Sequence, residues 1–142
     1  MKHLVSLLLV VATCVFGAKG QKLNGSAVPA VVKNAFEKKY QGMKAAWDKE
    51  DANYEANFTQ NGKAASVLID KNGIILETET EIPVTDLPRL AQDYIKTHYP
   101  TVKTEGAARI VKANGEINYE AEVHHKDVVF DANGKFIKEV KD

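Results

Sequence analysis

The chain has 142 residues, with 19 basic and 19 acidic side chains and a single cysteine, Cys14. This length suits one compact domain or two small repeats. Because the charges are interspersed and form no basic stripe, the composition argues against a nucleic-acid partner.

Residues 1–20 are predicted to be a cleaved signal peptide. An apolar run extends from Leu4 to Phe16, and Ala18-Lys19-Gly20 supplies the small residues of a cleavage site. The run is shorter than the roughly 20 residues of a membrane-spanning helix. An uncleaved anchor and a lipoprotein attached through Cys14 are the weaker alternatives. Cleavage would leave 21–142, a periplasmic or secreted protein with no membrane span and no disulfide.

The next segment has the pattern of an amphipathic helix that begins at Pro29. Proline suits the first turn of a helix, and apolar residues recur at helical spacing as far as Tyr40. Gln41-Gly42 then ends the helix. Four strands are predicted to follow, at 43–50, 54–59, 64–70 and 74–80. Asn61-Gly62 indicates a hairpin turn, and Asn72-Gly73 indicates a type I′ turn, as Asn133-Gly134 does in the second half.

The same order of elements is repeated in the second half. Pro88 begins a second amphipathic helix, and strands are predicted at 103–113, 117–123, 127–131 and 136–140. Two motifs recur: Tyr54-Glu55-Ala56 returns as Tyr119-Glu120-Ala121, and Asp70-Lys71-Asn72-Gly73 returns as Asp131-Ala132-Asn133-Gly134. A duplicated helix-plus-meander unit explains this order.

The predicted fold class is α+β, with tandem repeats at 21–82 and 83–142 that form one structural domain. Either unit alone would be small and would leave a sheet edge unpaired. We therefore expect the two four-stranded meanders to join into one continuous antiparallel sheet of about eight strands. Both helices would pack on one face, and the other face would be solvated.

These motifs resemble a family of secreted bacterial proteins called PepSY-like or β-lactamase-inhibitor-protein-like (BLIP-like). The resemblance rests on the proline-started helix ending near Tyr40, on Trp47, and on the motifs at 54–56 and 70–73, and it covers 28–140 as two copies. It implies an envelope or extracellular protein with helices on one side of a concave sheet. The family name refers to an inhibitor that grips β-lactamase with its concave face. No residue here matches an inhibitory loop, so no site residue is transferred.

His124-His125 is the most conspicuous polar pair, with Glu122 and Asp127 nearby. Adjacent side chains of a strand point to opposite faces, so the two imidazoles would not share one metal ion, whereas Glu122 and His124 would share a face. We interpret the pair as a polar strand end that enters a turn.

The Asp-x-Asn-Gly motifs are not calcium loops by their spacing. An EF-hand loop has its glycine at position six and a glutamate at position twelve, whereas here glycine comes at position four. We interpret both motifs as turns. His98, in the last turn of the second helix, suits the helix dipole and is interpreted as structural.

Two further sets of residues have alternative interpretations. Glu77, Glu79 and Glu81 form either an acidic docking ridge or a solvated strand face, and we favour the solvated face. Trp47 and Tyr54 are either an exposed binding anchor or core residues, and we favour the core.

No catalytic motif is present. The chain has no Gly-x-Ser-x-Gly, no phosphate-binding glycine loop and no His-Glu-x-x-His, and the predicted mature chain has no cysteine. We therefore assign no catalytic, cofactor-binding or metal residue. The predicted function is a secreted, non-enzymatic module whose open sheet face grips a protein or peptide, with inhibition of an envelope enzyme as one form. A periplasmic small-ligand or metal carrier is the alternative. An enzyme is the third hypothesis, and it would require a cleft with perturbed carboxylates that the sequence does not reveal. The leading hypothesis predicts exposed aromatic or apolar residues on the open face and no buried titratable cluster there.

Overall fold

The computed structural model describes residues 20–141, so the predicted signal peptide lies, except for Gly20, outside the described residues. Nine antiparallel strands form one sheet in which the spatial order equals the chain order. The strands are β1 Gln21–Leu23, β2 Ala46–Glu50, β3 Asn53–Gln60, β4 Lys63–Ile69, β5 Ile75–Glu81, β6 Thr104–Lys112, β7 Ile117–Val123, β8 Lys126–Asp131 and β9 Phe136–Lys141. The helices are α1 Ala30–Lys39 and α2 Arg89–His98.

The two helices begin and end alike. Pro29 and Pro88 immediately precede α1 and α2. Backbone N–H groups at the start of a helix have no acceptor within it, so the N–H that proline lacks costs no hydrogen bond there. Tyr40 and Tyr99 follow the last helical residues, and the backbone N–H of each donates to a carbonyl of the final turn. The predicted helices are therefore present, and each has the two boundaries that its proline and tyrosine indicate.

The two repeats meet at β5 and β6, which are hydrogen-bonded neighbours. Glu77 lies opposite Lys112 and Glu81 opposite Ala108, and the backbone N–H of Ile82 donates to the Ala107 carbonyl at 3.0 Å. The predicted single sheet with both helices on one face is confirmed. The strand beyond the expected eight is β1, whose three residues pair with β2 and are too few to show a periodicity.

The core lies between the sheet and the helices, in two parts. In the first part Phe36 of α1 contacts the rings of Tyr40, Trp47 and Phe58, with centroid separations of 5.3, 5.7 and 5.2 Å. Trp47 is 9% exposed, and Tyr54 packs against the same cluster, so the core interpretation of both residues is confirmed. The second part is mainly aliphatic and contains Leu87, Ala91, Ile95, Ala121, Val123, Val128 and Phe130.

The Asn-Gly turns are of two kinds. At Asn61-Gly62 both residues have positive φ, 53° and 76°, as in a type I′ hairpin. The type I′ prediction for Asn72-Gly73 is wrong, because only Gly73 has positive φ, 84°. The carboxylate of Asp70 accepts hydrogen bonds from the N–H groups of Asn72 and Ile74, at 2.8 and 2.9 Å. This side-chain cap stabilises a type I turn with glycine in the left-handed position.

The motif at 131–134 forms the same turn. Asp131 accepts from the N–H groups of Asn133 and Lys135, both at 2.9 Å, and only Gly134 of the Asn-Gly pair has positive φ, 86°. The type I′ prediction is therefore wrong for Asn133-Gly134 as well. In both copies the aspartate caps its own turn, which supports the interpretation of these motifs as turns.

Candidate functional site

The face of the sheet opposite the helices, called the open face below, is strongly acidic. Alternation along the paired strands places on it ten carboxylates, Asp48, Glu50, Glu55, Glu77, Glu79, Glu81, Glu120, Glu122, Asp127 and Asp131. Only three lysines of the strands share this face, Lys22, Lys112 and Lys138. The whole chain is electrically balanced. The fold therefore segregates charge that the sequence intersperses.

Several residues of the open face are buried, although no helix of the described chain covers them. Ile110 and Val129 are each 1% exposed, and so is Glu120. Each of these residues lies on a strand that is paired on both sides. Asp127 is also buried, at 2% exposed, so carboxylates form part of this layer. The predicted absence of a buried titratable cluster is therefore wrong.

The glutamates of β5 lie in the middle of the sheet. Glu79 is 8% exposed, and Glu81 accepts a hydrogen bond from the backbone N–H of Ala64 at 3.1 Å. The solvated-face interpretation of Glu77, Glu79 and Glu81 is therefore wrong for Glu79. The physical reason is that β5 is not an edge strand, because β4 and β6 flank it on both sides.

A cavity of about 130 Å³ opens on this face above β2 to β5. Its lining residues are mostly polar: Glu50, Asp51, Asn53, Glu55, Ser66, Leu68, Glu77 and Glu79. The pKa of Glu55 is raised to about 7, chiefly by burial and also by the charges of Glu50 and Asp48, while hydrogen bonds from Ser66 and Asn57 partly offset this rise. The cavity therefore holds a carboxyl group that exchanges its proton near neutral pH.

Aromatic side chains are absent from the open face within residues 20–141. Those of the strands, such as Tyr54, Tyr119 and Phe136, point toward the helices and pack there. Of the predicted exposed aromatic or apolar residues, the aromatic ones are therefore absent from this face, and Trp47 and Tyr54 do not serve as a binding anchor on it. The recognition chemistry that the open face offers is electrostatic.

The histidine pair occupies the turn between β7 and β8. His124 and His125 both have positive φ, 55° and 59°, and their ring centroids are 5.9 Å apart. The expectation that Glu122 and His124 share a strand face is wrong, because β7 ends at Val123. The structure instead brings His125 together with Glu122 and Glu105, whose ligand atoms all lie within 4.8 Å of one another. No local sequence pattern points to Glu105, because it lies far along the chain from this turn.

His98 has local partners in α2. Its ring stacks on Tyr94 with a centroid separation of 3.8 Å, and its Nδ1 lies 2.9 Å from the Tyr94 carbonyl oxygen. These contacts agree with the structural role expected for it.

The sequence matches the profile of a family described as "Putative beta-lactamase-inhibitor-like, PepSY-like", in two overlapping segments, residues 15–77 and 52–138. The chain belongs to the PepSY-like family. The resemblance inferred from the helix, Trp47 and the repeated motifs is confirmed, and the two matched segments agree with a tandem repeat.

Solved structures share the fold of this PepSY-like protein. One, from Bacteroides eggerthii DSM 20697 and described among "putative periplasmic proteins", has a TM-score of 0.71 and 16% identity, over 79% of this chain and 87% of that chain. A DUF2874 family protein from Bacteroides uniformis ATCC 8492 has a TM-score of 0.68 and 19% identity, over 78% and 87%. A BLIP-like protein from Bacteroides fragilis NCTC 9343 has a TM-score of 0.58 and 21% identity, over 78% and 84%.

At these identities the likeness shows the fold alone. A search of curated protein sequences finds no significant match. Within residues 20–141, no helix has the length and the apolar character that crossing a membrane requires.

Proposed function

We propose that this PepSY-like protein is an exported, non-enzymatic module that binds a basic segment of a protein or peptide on its open face. The observation that carries the proposal is the segregation of ten carboxylates, seven of them at least partly exposed, and only three lysines onto that face of a chain with no net charge. Such a surface attracts cationic partners and repels acidic ones.

The arrangement of the acidic residues favours a docked partner over a merely solvated surface. Glu79 is largely withdrawn from water, and the cavity beside it is lined by Glu50, Glu55 and Glu77. A carboxylate in such a place is stabilised by a cation that approaches closely, and an arginine can form two parallel hydrogen bonds with it. A lysine or arginine side chain that enters the cavity would therefore gain more from this face than from exposed surface acids.

Export and the class of partner are supported by what the chain resembles. The predicted signal peptide at 1–20 and the fold shared with a protein described as periplasmic both favour the cell envelope. The inhibitor-like description of the family and the BLIP-like neighbour favour a protein partner, with inhibition of an envelope enzyme as the form to test. The repeats at 21–82 and 83–142 would act together, since the acidic face extends across both.

The test compares charge reversals on opposite sides of the sheet. Purified wild-type protein is used as bait with a crosslinked cell-envelope extract, beside Glu50→Lys/Glu77→Lys on the open face. Glu37→Lys/Asp93→Lys, at exposed positions of the helices, is the matched control. We expect a saturable protein partner at about 0.15 M salt that is released near 1 M salt. The open-face variant should retain it roughly tenfold less or worse, and the helix variant should retain it normally.

A partner that both variants retain equally would place binding elsewhere and contradict the proposal. If the wild-type protein retains no saturable partner, the protein-binding function is also contradicted. The small-ligand carrier is then the candidate to pursue, and the cavity beside Glu55 is where a ligand would be sought.

A further inference from the structure

We propose that Glu105, Glu122 and His125 form a binding site for a divalent transition-metal ion such as zinc. One ligand atom from each residue lies within 4.8 Å of the other two. Two carboxylate oxygens and one imidazole nitrogen are a donor set that zinc and its first-row neighbours accept. The site does not depend on the proposed binding of a basic partner.

Glu105 reaches the site because it lies in a β-bulge. Thr104 of β6 pairs with Val123, and Gly106 pairs with Glu122, so Glu105 is the extra residue between two consecutive pairs. A bulge interrupts the strict alternation of faces and redirects a side chain. In this position Glu105 is exposed, and its carboxylate can approach the β7–β8 turn.

Glu122 lies beside Gly106, which has no side chain. A Cβ atom on Gly106 would be 3.6 Å from Oε2 of Glu122, so any longer side chain at position 106 would occupy the space beside this carboxylate. Glu122 is half-buried, which limits the number of its rotamers and fixes one donor of the site on a regular strand.

His125 completes the set from a backbone conformation that most residues avoid. Its φ of 59° is in the left-handed region, where histidine is more frequent than most side chains other than glycine. His124 has almost the same φ, but it is not among the three converging residues. Of the two adjacent histidines, only His125 converges with Glu105 and Glu122.

The chemistry favours zinc-type ions over calcium. Calcium prefers six to eight oxygen ligands, whereas a nitrogen donor with two carboxylates suits a smaller and softer ion. Tetrahedral bonds of about 2.1 Å place ligand atoms roughly 3.4 Å apart, so ligand atoms that lie within 4.8 Å of one another need only a small inward movement to bind one ion. Glu105 and His125 are exposed and free to do so. Three protein ligands leave coordination positions for water or for a group of a partner.

The test measures zinc binding by calorimetry on the purified protein without a polyhistidine tag. The variants are His125→Asn, Glu105→Gln and the matched control His124→Asn. Asparagine tolerates positive φ, so both histidine variants keep the turn. We expect one zinc ion per chain, with affinity lowered roughly tenfold or more in His125→Asn and Glu105→Gln and unchanged in His124→Asn.

Excess calcium should not displace the zinc. Three outcomes would overturn the proposal: no zinc binding by the wild-type protein, an equal loss in His124→Asn, or full competition by calcium. Circular dichroism of each variant at the temperature of the titration verifies that the loss belongs to the site and not to unfolding.

Discussion

Gly134 passes so close to Pro88 that a Cβ atom at position 134 would lie 2.7 Å from the proline Cβ. The first repeat has the same relationship, because a Cβ on Gly73 would lie 3.0 Å from the carbonyl oxygen of Val31. In each repeat the Asp-x-Asn-Gly turn therefore packs against the first turn of its own helix. The repeated glycine is required both by its positive φ and by this close approach.

Gly134→Ala should destabilise the protein by about 2–4 kcal/mol, since positive-φ strain adds to overlap with the helix. Gly115→Ala is the matched control, because Gly115 has φ of 85° and no atom within 4 Å of the Cβ position. The control should lose about 1 kcal/mol. Urea unfolding of both variants measures the difference, and equal losses would show that the contact with Pro88 contributes nothing.

Phe36 is the centre of the aromatic cluster in the first repeat, where it contacts three other rings. Phe36→Ala should lower the free energy of unfolding by about 3–5 kcal/mol, because it removes a buried ring and leaves a cavity. Leu90→Ala, at a position that is 58% exposed on α2, should change it by less than about 1 kcal/mol. Chemical denaturation of the two variants tests this. A small loss of unfolding free energy in Phe36→Ala would mean that the neighbouring side chains can collapse into the space left by the ring.

Glu55 should make stability depend on pH. Its pKa is raised from 4.5 to about 7 in the folded protein. As the pH rises, this carboxyl group therefore loses its proton at a lower pH in the unfolded chain than in the folded one. The stability linked to the protonated group is fully present below about pH 4.5 and is lost as the pH rises to about 7, by at most about 3 kcal/mol. Glu55→Gln should therefore raise the melting temperature at pH 8 and change it little at pH 4.

Glu37→Gln, at an exposed position of α1, is the control for the loss of one negative charge. Thermal unfolding of the three proteins at both pH values is the measurement. A melting temperature of Glu55→Gln that rises by the same amount at pH 4 and pH 8 would contradict a raised pKa as the cause.

The two repeats should not fold independently. A fragment that ends at residue 86 would expose the edge of β5 that β6 covers in the whole chain. We expect residues 21–86 alone to be unfolded or associated, because an exposed central strand pairs with other chains and a unit of this size buries little apolar area. Sedimentation and urea unfolding measure this. A cooperatively folded monomer would show that the shared sheet is not required.

Local patterns determined the elements of this protein and their duplication. Alternation along Tyr54-Glu55-Ala56, helical spacing after Pro29, and the two prolines and tyrosines at the helix ends depend only on residues near one another in the chain. The same patterns predicted one sheet with both helices on one face, because a single unit would leave an unpaired edge. Even the Asp-x-Asn-Gly turns were found from sequence, although their conformation was not, since the aspartate cap competes with the type I′ geometry that Asn-Gly usually adopts.

Only the tertiary structure decided which side chains meet. Glu79 is buried because β5 becomes a central strand, and Glu105 lies beside His125 because a bulge in β6 redirects it toward a turn 20 residues away. The segregation of acidic residues onto the open face likewise depends on strand pairing across the whole sheet. Register between strands distant in the chain is set by the sum of many weak contacts, and no short window of sequence contains that sum.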